Sequence, residues 1–351
     1  MKNPLVSICV PTCNRAGFLK GSLPTICGQS YEPLEILISD NASADGTEDL
    51  CRELQKKDLR VRYLRQPINI GLYPNHNFCI EESRGEYLCL FHDDEVYAPE
   101  MIQEYVGFMQ AHPEVGLLCS DWELIGEKGE VLAAREFGGP DVLPGEQYIR
   151  QTIRSGRSWL NCPGTMIRRS ALGSIRFDEG GPTGFGDFVL WFRVAESSCI
   201  GHVPRRLWRY RIHNSALCSK SILAITQDYE ESVERYLRGF GQRYPERPNW
   251  AAARRRELRR YLFWSLAYEL LRSIRPSAGK GQTIFDAMGY RLTPEEITLV
   301  RRHLKGYQTG LAQSAARLGI ELSIRGRLIR PIDWAMRHAP IPWVRTILGL
   351  R

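Results

Sequence analysis

The sequence predicts an α/β fold in which a mostly parallel central sheet is flanked by helices and followed by an α-helical C-terminal region. Three observations carry this. Short apolar, β-branched runs alternate with stretches of helical periodicity across residues 5–111. Polar turn chemistry follows the strand-like runs. Beyond about Cys218 the alternation gives way to Arg-rich, Trp-bearing helical segments, which divides the chain into residues 1–218 and residues 219–351.

Taken in order, residues 5–10 are apolar and β-branched, and Pro11-Thr12-Cys13-Asn14-Arg15 breaks the run before a helical stretch to about Gln29. The unit then recurs. Residues 34–39 form a second apolar run, Asp40-Asn41-Ala42-Ser43-Ala44-Asp45-Gly46-Thr47 is turn chemistry, and residues 48–57 have helical periodicity. Residues 61–64 read as a third strand, 73–83 as a helix, 86–91 as a strand, and 99–111 as a helix with Pro99 in its first turn. Strands alternating with helices imply right-handed crossovers and a mostly parallel sheet. In such a sheet ligands bind at the carboxyl ends of the strands.

With 351 residues and 43% apolar content, the chain can bury one large core or a catalytic domain with an appendage. Its 10 cysteines are scattered, several inside apolar runs, and read as buried free thiols. The Cys9–Cys13 spacing suits neither a zinc knuckle nor a redox pair, so no sulfur-built metal site is expected. Met1-Lys2-Asn3-Pro4 leads into a strand without the pattern of a secretion signal. The apolar stretch at residues 261–268 falls far short of the roughly 20 residues a spanning helix needs. A cytoplasmic protein, or one peripheral on the inner face of a membrane, is the expectation. Charge is uneven: residues 219–351 carry 24 Lys and Arg against 12 Asp and Glu, leaving 23 against 28 for residues 1–218.

Three strand ends should converge on one edge of the sheet: Pro11-Thr12, Asp40-Asn41 and His92-Asp93-Asp94-Glu95. A carboxylate at the second strand end can accept hydrogen bonds from a ribose or a base. The acidic triplet offers hard oxygen ligands suited to magnesium or manganese held against a diphosphate. Acids just before Pro99 would equally favour a helix N-terminus, so the triplet alone does not decide between the two.

The ordered set of pieces resembles the inverting glycosyltransferase family 2, whose catalytic domain has the GT-A fold. The likeness spans about residues 4–215 and rests on the segment through Pro11-Thr12-Cys13-Asn14-Arg15 and that from Ile38 to Thr47. It continues through Asn69-Ile70-Gly71, Asn75-His76-Asn77, Arg84-Gly85-Glu86-Tyr87, Asp93-Asp94-Glu95, Gly186-Asp187-Phe188 and Tyr210-Arg211-Ile212-His213. The resemblance implies that Pro11, Thr12, Arg15, Asp40, Asn69, Gly71, Asn77 and Asp93 border the nucleotide-sugar donor. It implies a Mn2+ or Mg2+ ion held by members of the set Asp93, Asp94, Glu95 and His213, and Asp187 as the general base. An inverting transfer to a hydroxyl of a glycan or lipid-linked acceptor follows, with a UDP-sugar as the expected donor. Two departures stand out. The three acids are consecutive where the family spaces two aspartates, and Gly186 precedes the base where an acid is common. An Asp at 187 also suits a helix N-cap. Trp159, Asn161, Gly164 and Thr165 fall where the family places acceptor or donor-sugar contacts, or else form a core strand and turn. Arg193 and Arg211 could meet phosphate or an internal acid.

In the tail, Arg254, Arg255, Arg256, Arg259 and Arg260 mix with Leu262, Phe263, Trp264, Leu266, Leu270 and Leu271, and residues 328–351 add Trp334 and Trp343 among arginines. Such mixtures suit an anionic membrane surface, or a helical bundle packed on a neighbour with one basic face, including a homo-oligomer. Two other functions compete. A nucleotidyltransferase would need a Gly-rich, Lys-bearing loop after the first strand, which is absent. A nucleic-acid-binding protein would need a recognisable module, and none is found; no nucleic-acid partner is expected.

Overall fold

Apolar runs that alternate with amphipathic stretches have one good solution, a sheet buried between helices, and the chain adopts it. The computed structural model describes residues 3–182, 184–213 and 222–274. In chain order the elements are β1 (Val6–Thr12), α1 (Ala16–Cys27), β2 (Leu34–Asp40), α2 (Thr47–Lys57), β3 (Val61–Arg65), α3 (Leu72–Glu82) and β4 (Tyr87–Leu90). Next come β5 (Val96–Tyr97), α4 (Met101–Ala111), β6 (Val115–Ile125), β7 (Val131–Arg135), β8 (Val142–Leu143) and α5 (Gly145–Ser155). A 3-10 turn (Cys162–Gly164), β9 (Met166–Arg168), α6 (Arg169–Leu172), α7 (Gly186–Ala195), β10 (Cys199–Arg211), α8 (Ile222–Arg243) and α9 (Pro248–Ile274) complete them.

The sheet runs β3-β2-β1-β4-β9-β6-β10-β5, with β7 added to β6 and β8 to β10. The pairings of β1 with β2, β2 with β3, β1 with β4 and β6 with β10 are parallel. The antiparallel pairings, including β9 between β4 and β6, are short. Ile8, Ile36, Ile38, Cys89 and Leu90 are fully buried, as strands covered on both faces require. Each isoleucine or leucine among them contributes about 1.5–3 kcal/mol by leaving water. On the far side of β9, Trp122, Trp208 and Tyr210 form an aromatic cluster with ring centroids 5.2 to 6.2 Å apart.

Register sets the site. Thr12 pairs with Asp40, and Asp40 with Arg65, so three strand ends finish level. The predicted helix at 99–111 begins later, at Met101, because Ala98 O accepts the Met101 N–H and leaves Pro99 in the preceding turn.

The chain forms two compact units, one of Met1–Ser219 with Glu231–Arg247, the other of Lys220–Glu230 with Pro248–Arg351. Within the second, Arg254 of the predicted basic cluster is buried, ion-paired to Glu257 at 2.8 Å and set over the Trp250 ring. The side chains of Phe263, Trp264, Leu266, Leu270 and Leu271, along with Cys218 and residues 328–351, lie outside the described residues. Among the described residues no helix is long and apolar enough to cross a membrane.

Candidate active site

After β1 the chain turns sharply at Asn14, which adopts φ 53°, a left-handed conformation that Asn tolerates. Its backbone N–H donates to Ser43 Oγ at 2.8 Å and its Oδ1 accepts from the Ala44 N–H at 2.7 Å. The loop after β1 is thereby locked to the loop after β2. Asp40, fully buried, braces the second loop from below: its Oδ1 accepts the Ser43 N–H at 2.8 Å, and its Oδ2 accepts Tyr63 Oη at 2.6 Å and Arg65 Nη1 at 3.0 Å. Burial works to raise its pKa, yet the bonds from Ser43, Tyr63 and Arg65 together hold it below the ordinary carboxylate value. Asp40 therefore acts on the cleft through the loop it holds. Asn41 joins the third loop, donating to Asn69 Oδ1 at 2.9 Å and Gly71 O at 3.1 Å while accepting the Ile70 N–H. Gly71 stands at φ 96°, where a side chain would be strained.

The acids follow β4. Asp93, Asp94 and Glu95 are all buried, and so is His213 just past the end of β10. Thr12 Oγ1 donates to Asp93 Oδ2 at 2.7 Å, and Arg15 Nη2 lies 3.3 Å from Asp94 Oδ2. His213 Nε2 meets that same Asp94 oxygen at 2.9 Å. Arg211 is tied inward: its N–H donates to Glu95 Oε2 at 2.7 Å and its Nε to Asp94 O at 2.9 Å. Burial, reinforced by Asp94, pushes Asp93 up to about 7 against the pull of Thr12 and Arg15. Burial and then Asp94 also raise Glu95 well above its ordinary value. Arg15, Arg211 and His213 surround these acids, and the cluster is one that could also take a cation. Asp94 Oδ1 and Arg15 Nη1 are buried without a hydrogen-bond partner, so the cluster keeps polar capacity unused. One donor atom from each of His92, Asp94 and Glu95 lies within 4.8 Å of the others, a nitrogen and oxygen set that fits manganese or magnesium. His92 was not among the residues expected to bind metal; its place directly before the acids was the available signal.

Asp187 occupies the first turn of α7, half-buried, with its Oδ1 accepting the Phe188 N–H at 3.0 Å. Burial pushes its pKa up to about 7, opposed by the backbone N–H groups of Phe188, Asp187 and Cys162. Its charge in turn acts on Cys162, and Cys162 Sγ lies within 4.8 Å of donor nitrogens on His76 and His92. His92 thus spans the space between Asp187's neighbour Cys162 and the acids. The glycine before Asp187 has a steric cause. A Cβ on Gly186 would stand 2.3 Å from the ring and hydroxyl of Tyr73, whose Oη accepts the Gly186 N–H at 2.8 Å. Gly186→Ala should cost about 1–3 kcal/mol by overpacking, measured by denaturant unfolding.

Asn77 does not reach the cleft. Its amide clamps residues 177–179, donating to Phe177 O and Glu179 Oε1 and accepting the Phe177 N–H. Pro11 pairs with Ser39 inside the sheet. Asn161 and Thr165 bracket the 3-10 turn, with Thr165 Oγ1 donating to Asn161 O at 2.7 Å, and Gly164 leaves room for the Trp208 indole. Trp159 packs against Phe137 and His202. Arg193 falls in the last turn of α7.

A mostly parallel sheet flanked by helices, with acids clustered at its strand ends, is a fold of the GT-A type, and the comparisons agree. Staphylococcus aureus TarS 1-349 in complex with UDP-GlcNAc superposes with TM-score 0.58 at 16% identity, over 78% of this chain and 77% of that one. The mannosyltransferase PcManGT from Pyrobaculum calidifontis, in complex with GDP-Man and Mn2+, does so with TM-score 0.52 at 16% identity, over 89% and 87%. At such identities the likeness concerns the fold. Residues 7–176 match glycosyl transferase family 2, and the chain is a glycosyltransferase. The putative teichuronic acid biosynthesis glycosyltransferase TuaG of Bacillus subtilis is 24% identical over 217 residues, covering 62% of this chain and 82% of the relative.

Proposed function

We propose that the protein transfers a sugar, with inversion, from a nucleoside diphosphate to a hydroxyl of a glycan or lipid-linked acceptor, with Asp187 as general base. The observation that carries this is the convergence on Asp94 Oδ2 of Arg15 from the first loop and His213 from beyond the last strand, beside Asp93 held by Thr12. Arg15 and His213, 198 positions apart in the chain (213 − 15), are gathered around one carboxylate, an expensive arrangement for a fold to keep without a charged ligand.

Asp94, with Asp93, Glu95 or His92, would hold a manganese or magnesium ion, and His213 orients the Asp94 carboxylate. Such an ion supplies Lewis-acid stabilisation to the departing diphosphate. The loops at Asn14, Asn41 and Gly71 border the nucleoside, the middle one braced by Asp40 and the outer two tied to it through Asn14 and Asn41. Arg15, half-exposed between its acids and the cleft, adds positive charge next to the phosphates. Asp187 takes the acceptor proton as the hydroxyl attacks the anomeric carbon from the face opposite the leaving group. Its raised pKa matches that task, since a base near neutrality is both deprotonated at working pH and basic enough to act.

UDP is the expected donor nucleotide, and TarS and PcManGT hold UDP-GlcNAc and GDP-Man respectively. The relation to TuaG, named for teichuronic acid synthesis, supports a polysaccharide acceptor. The basic C-terminal region would bring the enzyme to an anionic membrane surface carrying that acceptor, or join copies of the chain. A thermal-shift screen of UDP, GDP, CDP and ADP with and without Mn2+ tests the donor reading. One nucleotide should raise Tm only when manganese is present, by an amount that grows with ligand concentration. A flat response to all four would overturn it.

A further inference from the structure

We propose that His76, His92 and Cys162 form a second cation site, of nitrogen and sulfur donors, that takes a thiophilic divalent ion such as zinc. The proposal does not depend on the transfer reaction.

One donor nitrogen of each imidazole and Cys162 Sγ lie within 4.8 Å of one another. Tetrahedral zinc with bonds of about 2.0–2.3 Å sets its ligand atoms roughly 3.3–3.8 Å apart, so side-chain rotations closing about 1 Å complete the site. The histidine tautomer is already set. His76 Nδ1 lies 2.8 Å from the Leu72 carbonyl oxygen, an acceptor only, so Nδ1 carries the proton and Nε2 presents its lone pair. A ligating histidine is oriented by this kind of bond from its other nitrogen. The His76 ring is also held edge-on to His92 and to Phe177, at centroid distances of 6.3 and 5.3 Å.

His76 and Cys162 are buried and His92 is half-buried, which leaves an approach on the His92 side. Neither the His92 ring nor Cys162 Sγ makes a hydrogen bond among the described residues. Two imidazoles and one thiol form a borderline-soft donor set, distinct from the carboxylates that suit manganese. The three residues come from α3, the end of β4 and the 3-10 turn, so their spacing along the chain shows no motif. His92 belongs to both donor sets, which makes the two sites competitors. On coordination the Cys162 thiol gives its proton to solvent as the sulfur–metal bond forms.

The test uses the full chain, kept reduced, without nucleotide. Titration with Co2+ should give tetrahedral visible bands and a near-ultraviolet sulfur-to-cobalt charge-transfer band, saturating at one equivalent and abolished by Zn2+. His76→Gln should weaken binding about 10–100-fold, and Cys162→Ser should remove the charge-transfer band. No such band, or one that persists in Cys162→Ser, overturns the proposal. On the unsubstituted protein, Zn2+ should slow alkylation of Cys162, read by peptide mass spectrometry, while leaving the other cysteines unchanged; equal rates at Cys162 with and without Zn2+ also overturn it. Mn2+ binding followed by electron paramagnetic resonance reports the carboxylate set separately, so failure of one site is not mistaken for failure of the other.

Discussion

Asp187→Asn should lower kcat by roughly 10²–10⁴-fold, the usual contribution of a positioned general base, while leaving the manganese-dependent nucleotide shift in Tm intact. The same change should raise Tm at pH 8. The sign follows from the direction of the shift: burial lifts the folded-state pKa to about 7, above the unfolded value near 4, so the charged form is the one the fold disfavours. Native protein then binds more protons than unfolded protein between about pH 4 and 7. Stability therefore declines as pH rises through that window, and the penalty is fully present above it. Asn removes the penalty, so the gain in Tm should be seen at pH 8 and vanish near pH 4. For the unsubstituted enzyme, kcat/KM should rise with pH through about 7 as Asp187 loses its proton. A pH-independent Tm difference, or near-native turnover in the variant, would remove Asp187 from the mechanism.

Asp94→Asn should abolish the Mn2+-dependent stabilisation by nucleotide and reduce transfer by about 10²–10³-fold, the scale found when one electrostatic contact to a developing charge is removed. Asp94 is the hub of the cluster: both His213 Nε2 and Arg15 Nη2 converge on its Oδ2, and its Oδ1 is buried and unpartnered. The amide keeps the shape but loses the charge, leaving Arg15 without half of its ion pairing. Manganese titration followed by electron paramagnetic resonance checks this directly. Unaltered manganese affinity would shift the ion to Asp93 or Glu95.

The parallel half of the sheet was legible in the sequence because each strand there is a short apolar run followed by polar turn residues. Residues 34–39 and 61–64 became β2 and β3 with a one-residue extension each. β9 and the 3-10 turn before it were not legible: Met166–Arg168 is three residues long, and its pairing between β4 and β6 is decided by partners far away in the chain. In the site, residues gathered by strand ends were readable, and Asp94 and His213 do meet. Asp40 and Asn77 carry buried bonding that sequence cannot show, one under a loop and the other clamping residues 177–179. The glycine at 186 was visible as a departure, but its cause, the Tyr73 ring, belongs to a helix 113 positions earlier.

β9 is the only strand pairing, among the described residues, between the ladder made by the first ninety residues and the ladder of β6 and β10. Arg168 rivets this seam, its guanidinium donating to Val115 O, Met109 O, His112 O and Tyr87 Oη. The strands that end at Thr12 and Asp40 and the strand that ends at Arg211 are thus joined within the sheet through three residues and one guanidinium.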